Sequence, residues 1–517
     1  MSLQHRRFFL CVVFLVGGSW AFALSLPRIF GDHMVLQSGQ PNRVWGWATP
    51  GEAVTVRFAG QEKHATAAAG EGRWEVQLEP LAVSTQAAEL TVVGAKTLTF
   101  KDVVVGEVWL CSGQSNMAKP VGEWIGQKPT LNHEAELRAA DFPLIRLFKP
   151  KQVSRGAPER DFDQTRRAGD RPFGGWLACS ASSLEELKFS AAGYFFGRQL
   201  FRELRAPIGL IDSSWGGSRI ELWTPAEGFA RLPSLTALAN AAFAAAARQP
   251  GARAEGVVPC GIYNGMIAPL VPFALRGAIW YQGESNVIDV NDGPRYLDKM
   301  VALVQGWRGA WGADLSFYYV QIAPHLYHVV RPGQVVSPEA TPRLWEAQTA
   351  AMARLPRTGM IVTTDLVDDL NDIHPRNKRD VGERLARWAL ARDYGRSDVV
   401  FSGPLFRSLE VQGDRAVLSF DHVGGGLVSR DRKPLSWFII AGADGEFFPG
   451  KAEIAGDTVV VTSPKVAVPR TVRFAWDEAA QPNLVNRAGL PAVPFRTDNP
   501  LTADIGTTSL PSPAPKR

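Results

Sequence analysis

"GEVWLCSGQSNM", residues 106–117, changes character halfway. Val108 to Cys111 is an apolar run of the kind that fills a buried strand. Ser112-Gly113-Gln114-Ser115-Asn116 is small and polar, with no bulk to cap a core. In an open parallel sheet, ligands bind beyond the carboxyl ends of the strands, so a core strand that ends this way invites a search for others. Four more runs have the same look: "IGLIDSS" (208–214), "GAIWYQG" (277–283), "LSFYYVQIA" (315–323) and "GMIVTTDL" (359–366).

Helical periodicity lies between them. In "AGYFFGRQLFRELR" Phe196, Leu200 and Leu204 share a face. In "YLDKMVALVQGW" Leu297, Met300, Val301, Val304 and Trp307 do so, and in "KRDVGERLARWALARD" Val381, Leu385, Trp388 and Ala389. Strand-like and helix-like segments alternating over 104–395 predict an α/β domain with a parallel sheet. Residues 24–103 read differently. "RVWGWA", "AVTVRFA", "RWEVQLEPL" and "AELTVVG" alternate with period two between Gly, Pro and polar turns, predicting a small β-sandwich-like domain without helices. Short β runs return over 396–501. Residues 155–175 are charged, aperiodic and expected at the surface, and 502–517 have the composition of a disordered tail.

A chain of 517 residues exceeds the ceiling for one core, in keeping with several domains. Residues 1–23 read as an export signal. Arg6 and Arg7 precede the apolar stretch Phe8–Val16, and Ala21-Phe22-Ala23 offers a cleavage site. The run is short for a membrane span and none longer follows, so the mature chain is expected to be soluble, and periplasmic or extracellular. Cleavage would lower the formal charge from +5 to +3. That balance, without a basic stripe, argues against nucleic acid. Cys11 leaves with the signal. Cys111, Cys179 and Cys260 allow one bridge at most, which excludes a disulfide scaffold and a Cys-rich zinc site. Of 16 Trp, most are expected in packing, with some available to stack on sugars.

Four strand ends carry chemistry. Ser115 follows Gly113 on a loop able to expose a hydroxyl and aim backbone N–H groups at one point; a polar turn is the plainer account, and Ser112 and Cys111 are rival nucleophiles. The stretch is not a Gly-x-Ser-x-Gly elbow, since Met117 stands where the second Gly would be. Gly216-Gly217-Ser218 lets backbone approach a small ligand and donate to an oxyanion, although a tight turn explains it equally well. Gln282 and Glu284 follow the strand "GAIWY"; the amide can serve an oxyanion, and the carboxylate can orient a side chain or accept a substrate hydroxyl. His374, in "NDIHPRNK", is placed to take a serine proton, with Asp372 near enough to hold its tautomer. His325 and His328 lack an obvious third partner for a metal and read as surface or structural residues. Together these are the parts of an acyl-transfer site.

"GEVWLCSGQSNM", "WGGSRIELW", "YNGMIAPL", "GAIWYQGESN" and "NDIHPRNK" resemble, in order, the sialate O-acetylesterase family of SGNH-type serine hydrolases. "RIFGDHMVLQ" and "NLVNRAGLPAVPFRTD" extend the resemblance over nearly the whole mature chain. It implies a three-layer, flavodoxin-like catalytic domain with accessory β domains. The implied reaction is cofactor-free removal of acetyl groups from the sugar hydroxyls of sialic acid or of a plant hemicellulose such as xylan or xyloglucan. Ser115 matches the nucleophile and His374 the base. Ser115, Gly217 (or its neighbour Gly216) and Gln282 match the oxyanion hole. Many SGNH enzymes carry Asp three residues before the His; Asn371 stands there, and Asp372 is the nearest acid. Asn116, Glu284 and Arg219 are expected at the substrate. Arg219 suits a sialate carboxylate, unless it pairs with Glu221 or Glu284. Two other readings are a glycoside hydrolase using Glu284 and Asp372, and a non-catalytic glycan binder. The oligomeric state is left open.

Overall fold

The computed structural model describes residues 23–124, 126–163, 174–247, 258–329 and 336–501. Residues 1–22 of the export segment, 164–173 of the charged excursion and the tail 502–517 lie outside the described residues.

The amino-terminal strands are β1 (Val35–Gln37), β2 (Asn42–Trp47), β3 (Ala53–Phe58), β4 (Gln61–Thr66), β5 (Arg73–Leu78) and β6 (Ser84–Val93), with no helix between residues 24 and 103. Period-two alternation decides their faces: Val54, Val56 and Phe58 of β3, and Trp74, Val76 and Leu78 of β5, point inward. Strand β4, "QEKHAT", has no buried position and no apolar period, and forms because a two-residue turn pairs it with β3, Phe58 opposite Gln61. Ala59 and Gly60 both take positive φ there, as the tight hairpin turn requires.

Strand β7 (Thr97–Gly113) then serves two sheets. Its first half pairs with β6 and β1; its second half enters the α/β sheet between two parallel neighbours. That sheet adds β8 (Asp141–Phe148), β9 (Trp176–Ser180), β10 (Ile208–Ser214), β11 (Gly277–Tyr281), β12 (Ser316–Val320) and β13 (Thr358–Ile361), in the order β13-β12-β11-β7-β10-β8-β9. All neighbours run parallel except β9, antiparallel to β8. Strand succession reverses at β7, the topological switch point where open α/β sheets hold their ligands.

Every residue of β10, β11 and β12 is buried, because helices cover both faces. Tyr318 and Phe317 point to opposite sides. Tyr318 meets Trp388 of helix Lys378–Arg392 and Trp109, which in turn meets Phe196 of helix Ala191–Leu204. Phe317 meets Trp307 of helix Tyr296–Trp311, and Trp307 meets Trp280. This is the three-layer SGNH arrangement. Truncating one such ring to Ala would cost about 3–5 kcal/mol. Trp109, Trp223, Trp280, Trp307 and Trp345 are therefore packing residues. Cys111, Cys179 and Cys260 are buried and unpaired.

Beyond residue 400 the chain forms smaller antiparallel sheets around a second core that includes Leu418, Ile440, Val459 and Phe474. One segment of this region reaches back. The Glu478 carbonyl accepts the His325 N–H (3.0 Å), and the Glu478 carboxylate pairs with His328.

Candidate active site

Strand β7 stops at Gly113, level with Ser214 of β10 and Tyr281 of β11. Its φ is +136°, and a Cβ there would lie 2.2 Å from the Tyr281 carbonyl oxygen, so only glycine closes this strand end. The Gly113 carbonyl accepts from the Trp215 N–H (2.9 Å) and the Gln114 N–H donates to the Tyr281 carbonyl (2.9 Å). Gln114 Oε1 accepts from the Ser285 N–H (3.2 Å) and from Gln282 Nε2 (3.1 Å). Pinned on both sides, the chain turns into the one-turn helix Ser115–Ala118, with Ser115 half-buried and the next three residues buried. Gly216 folds against Ser115, a Cβ at that glycine lying 3.3 Å from the Ser115 Cβ. The N–H groups of Ser115, Gly216 and Gly217 have no acceptor among the described residues. Ser112 and Cys111 are sealed in the core, and burial keeps the Cys111 thiol protonated. Of the three rival nucleophiles, Ser115 is the accessible one.

His374 sits on the loop between β13 and helix Lys378–Arg392. Asp372 Oδ1 accepts the His374 backbone N–H (2.9 Å) and lies 3.7 Å from His374 Nδ1. Asn371 is exposed and donates its N–H to Asp369 (2.9 Å), so Asp372 is the carboxylate beside the imidazole. Burial, reinforced by the Lys378 and Lys119 cations, pulls the His374 pKa down to about 4 and leaves the ring neutral above that, with a lone pair to accept a proton. The loop is braced from several sides. The Leu326 N–H donates to the Leu370 carbonyl (3.1 Å), Arg376 Nε to the Pro129 carbonyl (3.0 Å), and Lys128 pairs with Asp369 (3.1 Å).

Asn116 joins the two halves. Its Nδ2 donates to the Ile373 carbonyl (3.0 Å) and to Glu284 Oε1 (2.6 Å), and its Oδ1 accepts from Lys378 Nζ (2.7 Å). The residue after Ser115 is thus bonded to the residue before His374. Three strand ends converge here: Ser115 from β7, Gly216-Gly217 from β10, and the His374 loop from β13.

The other expected residues lie deeper. Gln282 is 0% exposed; its Nε2 faces Asn286 Oδ1 (2.6 Å), Gln114 Oε1 (3.1 Å) and the Ser218 carbonyl (3.2 Å), and its Oε1 accepts from the Tyr296 hydroxyl (2.7 Å). Glu284 is 1% exposed and faces Asn116, itself 0% exposed. Burial raises the Glu284 pKa, and its second oxygen has no partner. Arg219 is half-buried and makes no ion pair with the described residues. Glu221 instead holds Lys299 (2.6 Å) and Asn286 (3.1 Å). Sequence reasoning missed Gln114, Asn286 and Lys378 as parts of this assembly, although all three stand inside the quoted motifs. His325 is buried and His328 is tied to Glu478; among the described residues no cluster of three His, Cys, Asp or Glu side chains is arranged for a metal. Among them, too, no helix is long and apolar enough to cross a membrane.

A family model described as carbohydrate esterase, sialic acid-specific acetylesterase, matches residues 105–391. Sialate O-acetylesterase of Rattus norvegicus is 30% identical over 442 residues, covering 76% of this chain and 77% of its own. The Homo sapiens sialate O-acetylesterase is 30% identical over 427 residues, covering 76% and 75%. Among solved structures, a carbohydrate acetylesterase from Xanthomonas citri aligns with a TM-score of 0.79 and 35% identity, over 92% of this chain and 100% of its own. The match spans the strand ends that carry Ser115, Gly217 and His374, and the chain belongs to the carbohydrate esterase family of sialic acid-specific acetylesterases.

Proposed function

We propose that this esterase removes O-acetyl groups from sugar hydroxyls, on sialic acid or on a hemicellulose such as xylan or xyloglucan, through an acetyl-enzyme on Ser115. The observation that supports this reading is the Asn116 bridge, which bonds the residue after the accessible Ser115 to the carbonyl of the residue before His374, whose ring burial keeps neutral. Ser115 Oγ attacks the acetyl carbonyl as His374 takes its proton. The oxyanion is held by the N–H groups of Ser115 and Gly217, while Gln282, whose two amide hydrogens are matched by Asn286 Oδ1 and Gln114 Oε1, holds the adjoining strand end in place. Asp372, moving onto Nδ1, steadies the imidazolium. On collapse the sugar oxygen leaves with the His374 proton, and water, deprotonated by His374, then frees acetate and regenerates Ser115. Arg219, two residues beyond Gly217, has no counter-charge among the described residues and suits a substrate carboxylate. Residues 1–23 direct export.

The test is acetate release from O-acetylated sialic acid, acetyl-xylan and acetyl-xyloglucan oligosaccharides. The wild type should release acetate, and Ser115→Ala should lose at least about 10⁴-fold in kcat. Equal release by both would end the serine mechanism. Release of reducing sugar instead of acetate would move the chemistry to carboxylates.

A further inference from the structure

Behind Ser115 lies a buried cation that hydrolysis does not use directly. Lys378 opens the helix Lys378–Arg392, is 0% exposed, and has the Asn116 Oδ1 as its hydrogen-bond partner at 2.7 Å. Its ammonium sits 5.1 Å from the centre of the Tyr281 ring. No carboxylate lies within ion-pair distance of it among the described residues. Burying an ammonium in this way is costly, and an apolar side chain of similar length would avoid that cost. Lys378 also dictates the Asn116 amide: a donor-only group must face Oδ1, which turns Nδ2 to the two acceptors, Glu284 Oε1 and the Ile373 carbonyl.

We propose that Lys378 is a positioning residue for ester cleavage: through the Asn116 amide it fixes the turn that carries Ser115 against the loop that carries His374. The proposal rests on the Ser115–His374 reading above. It has an electrostatic consequence. The charged and titratable groups facing His374 are Lys378, Lys119, Asp372 and His325, and the two cations favour the neutral ring. Those facing Lys378 are Lys119, Glu284, Asp372 and Asp368. Burial brings the Lys378 pKa to about 7, so it stays cationic throughout the range in which His374 titrates. Removing its charge raises the His374 pKa and moves the acid limb of the rate profile to higher pH.

The full chain is assayed with p-nitrophenyl acetate from about pH 3.5 to about pH 8, chosen to include the His374 titration. Lys378→Met keeps the length and loses donor and charge. It should lose about tenfold or more in kcat, with KM within about twofold, since Lys378 touches no substrate. Lys378→Gln keeps an N–H donor and loses the charge, so it should recover most of kcat yet keep the shifted acid limb. Wild-type kcat in Lys378→Met, or a wild-type acid limb in Lys378→Gln, overturns the proposal. If Lys378→Met fails to fold, the limb of Lys378→Gln decides alone. Ser115→Ala runs beside them; full activity there would defeat the serine reading itself, whatever the lysine variants do.

Discussion

The two strand ends flanking Ser115 are built in opposite ways. After β10 the chain leaves Gly216 and Gly217 exposed and Arg219 half-buried, with Arg219 and the two glycine N–H groups lacking partners among the described residues. After β11 it buries Gln282, Glu284 and Asn286 and engages nearly every polar atom within the protein. One residue connects them: Asn286 Oδ1 accepts from Gln282 Nε2 (2.6 Å) and from the Ile220 N–H (3.1 Å) at the foot of the open loop. The closed end therefore holds the open end in place. Donors aimed at a developing charge act best when they need not move to meet it, and a rigid, fully bonded support allows that.

Changing the closed end should have the largest effect. Gln282→Ala takes one hydrogen-bond partner each from Gln114 Oε1, Asn286 Oδ1 and the Tyr296 hydroxyl and leaves a cavity among them. Denaturant unfolding should show a loss of about 2–3 kcal/mol and acetate release a fall of roughly a hundredfold. A Gln282→Ala variant as stable as the wild type would break the contrast. Arg219→Ala tests the open end. Unfolding should be unchanged within about 0.5 kcal/mol, while KM for a carboxylate-bearing acetylated sugar rises about ten- to a hundredfold, the worth of one charge-assisted hydrogen bond. KM for a neutral acetylated sugar should not move; if it does, Arg219 serves something other than a substrate carboxylate. The smallest effect belongs to Gly217→Ala. Its φ is +71° and nothing lies within 4 Å of a new Cβ, so the cost is backbone strain alone, about 1–2 kcal/mol. Steady-state assays should show kcat reduced by less than about tenfold, and a greater loss would mean that the methyl group meets the substrate.

Much of the α/β sheet is legible in the sequence because strands covered on both faces become continuous apolar runs. The runs read at β7, β10, β11, β12 and β13 all form strands, and the three helices read from four-residue spacing are present. Strands β4 and β8 carry no such signature. β4 buries nothing, and β8 starts with alternating exposed and half-buried residues and shifts register against β9. The path of β7 through two sheets was equally hidden, since one unbroken strand has no turn residues to mark where its partners change.

The sequence by itself determined which residue types stand at the strand ends, and in what order: a serine after Gly113, paired glycines, an amide and a carboxylate after "GAIWY", and a histidine before a helix. Those local patterns suffice for the fold class and for the esterase family. Only the tertiary structure decided which of these groups are open and which are engaged within the protein. Asn116, Glu284 and Arg219 look alike as polar residues in motifs, yet the first two bond to each other across 168 positions of chain, and Asn116 meets Lys378 across 262. Whether a polar atom is free or engaged depends on such distant partners, because a buried donor or acceptor must find one wherever the fold brings it.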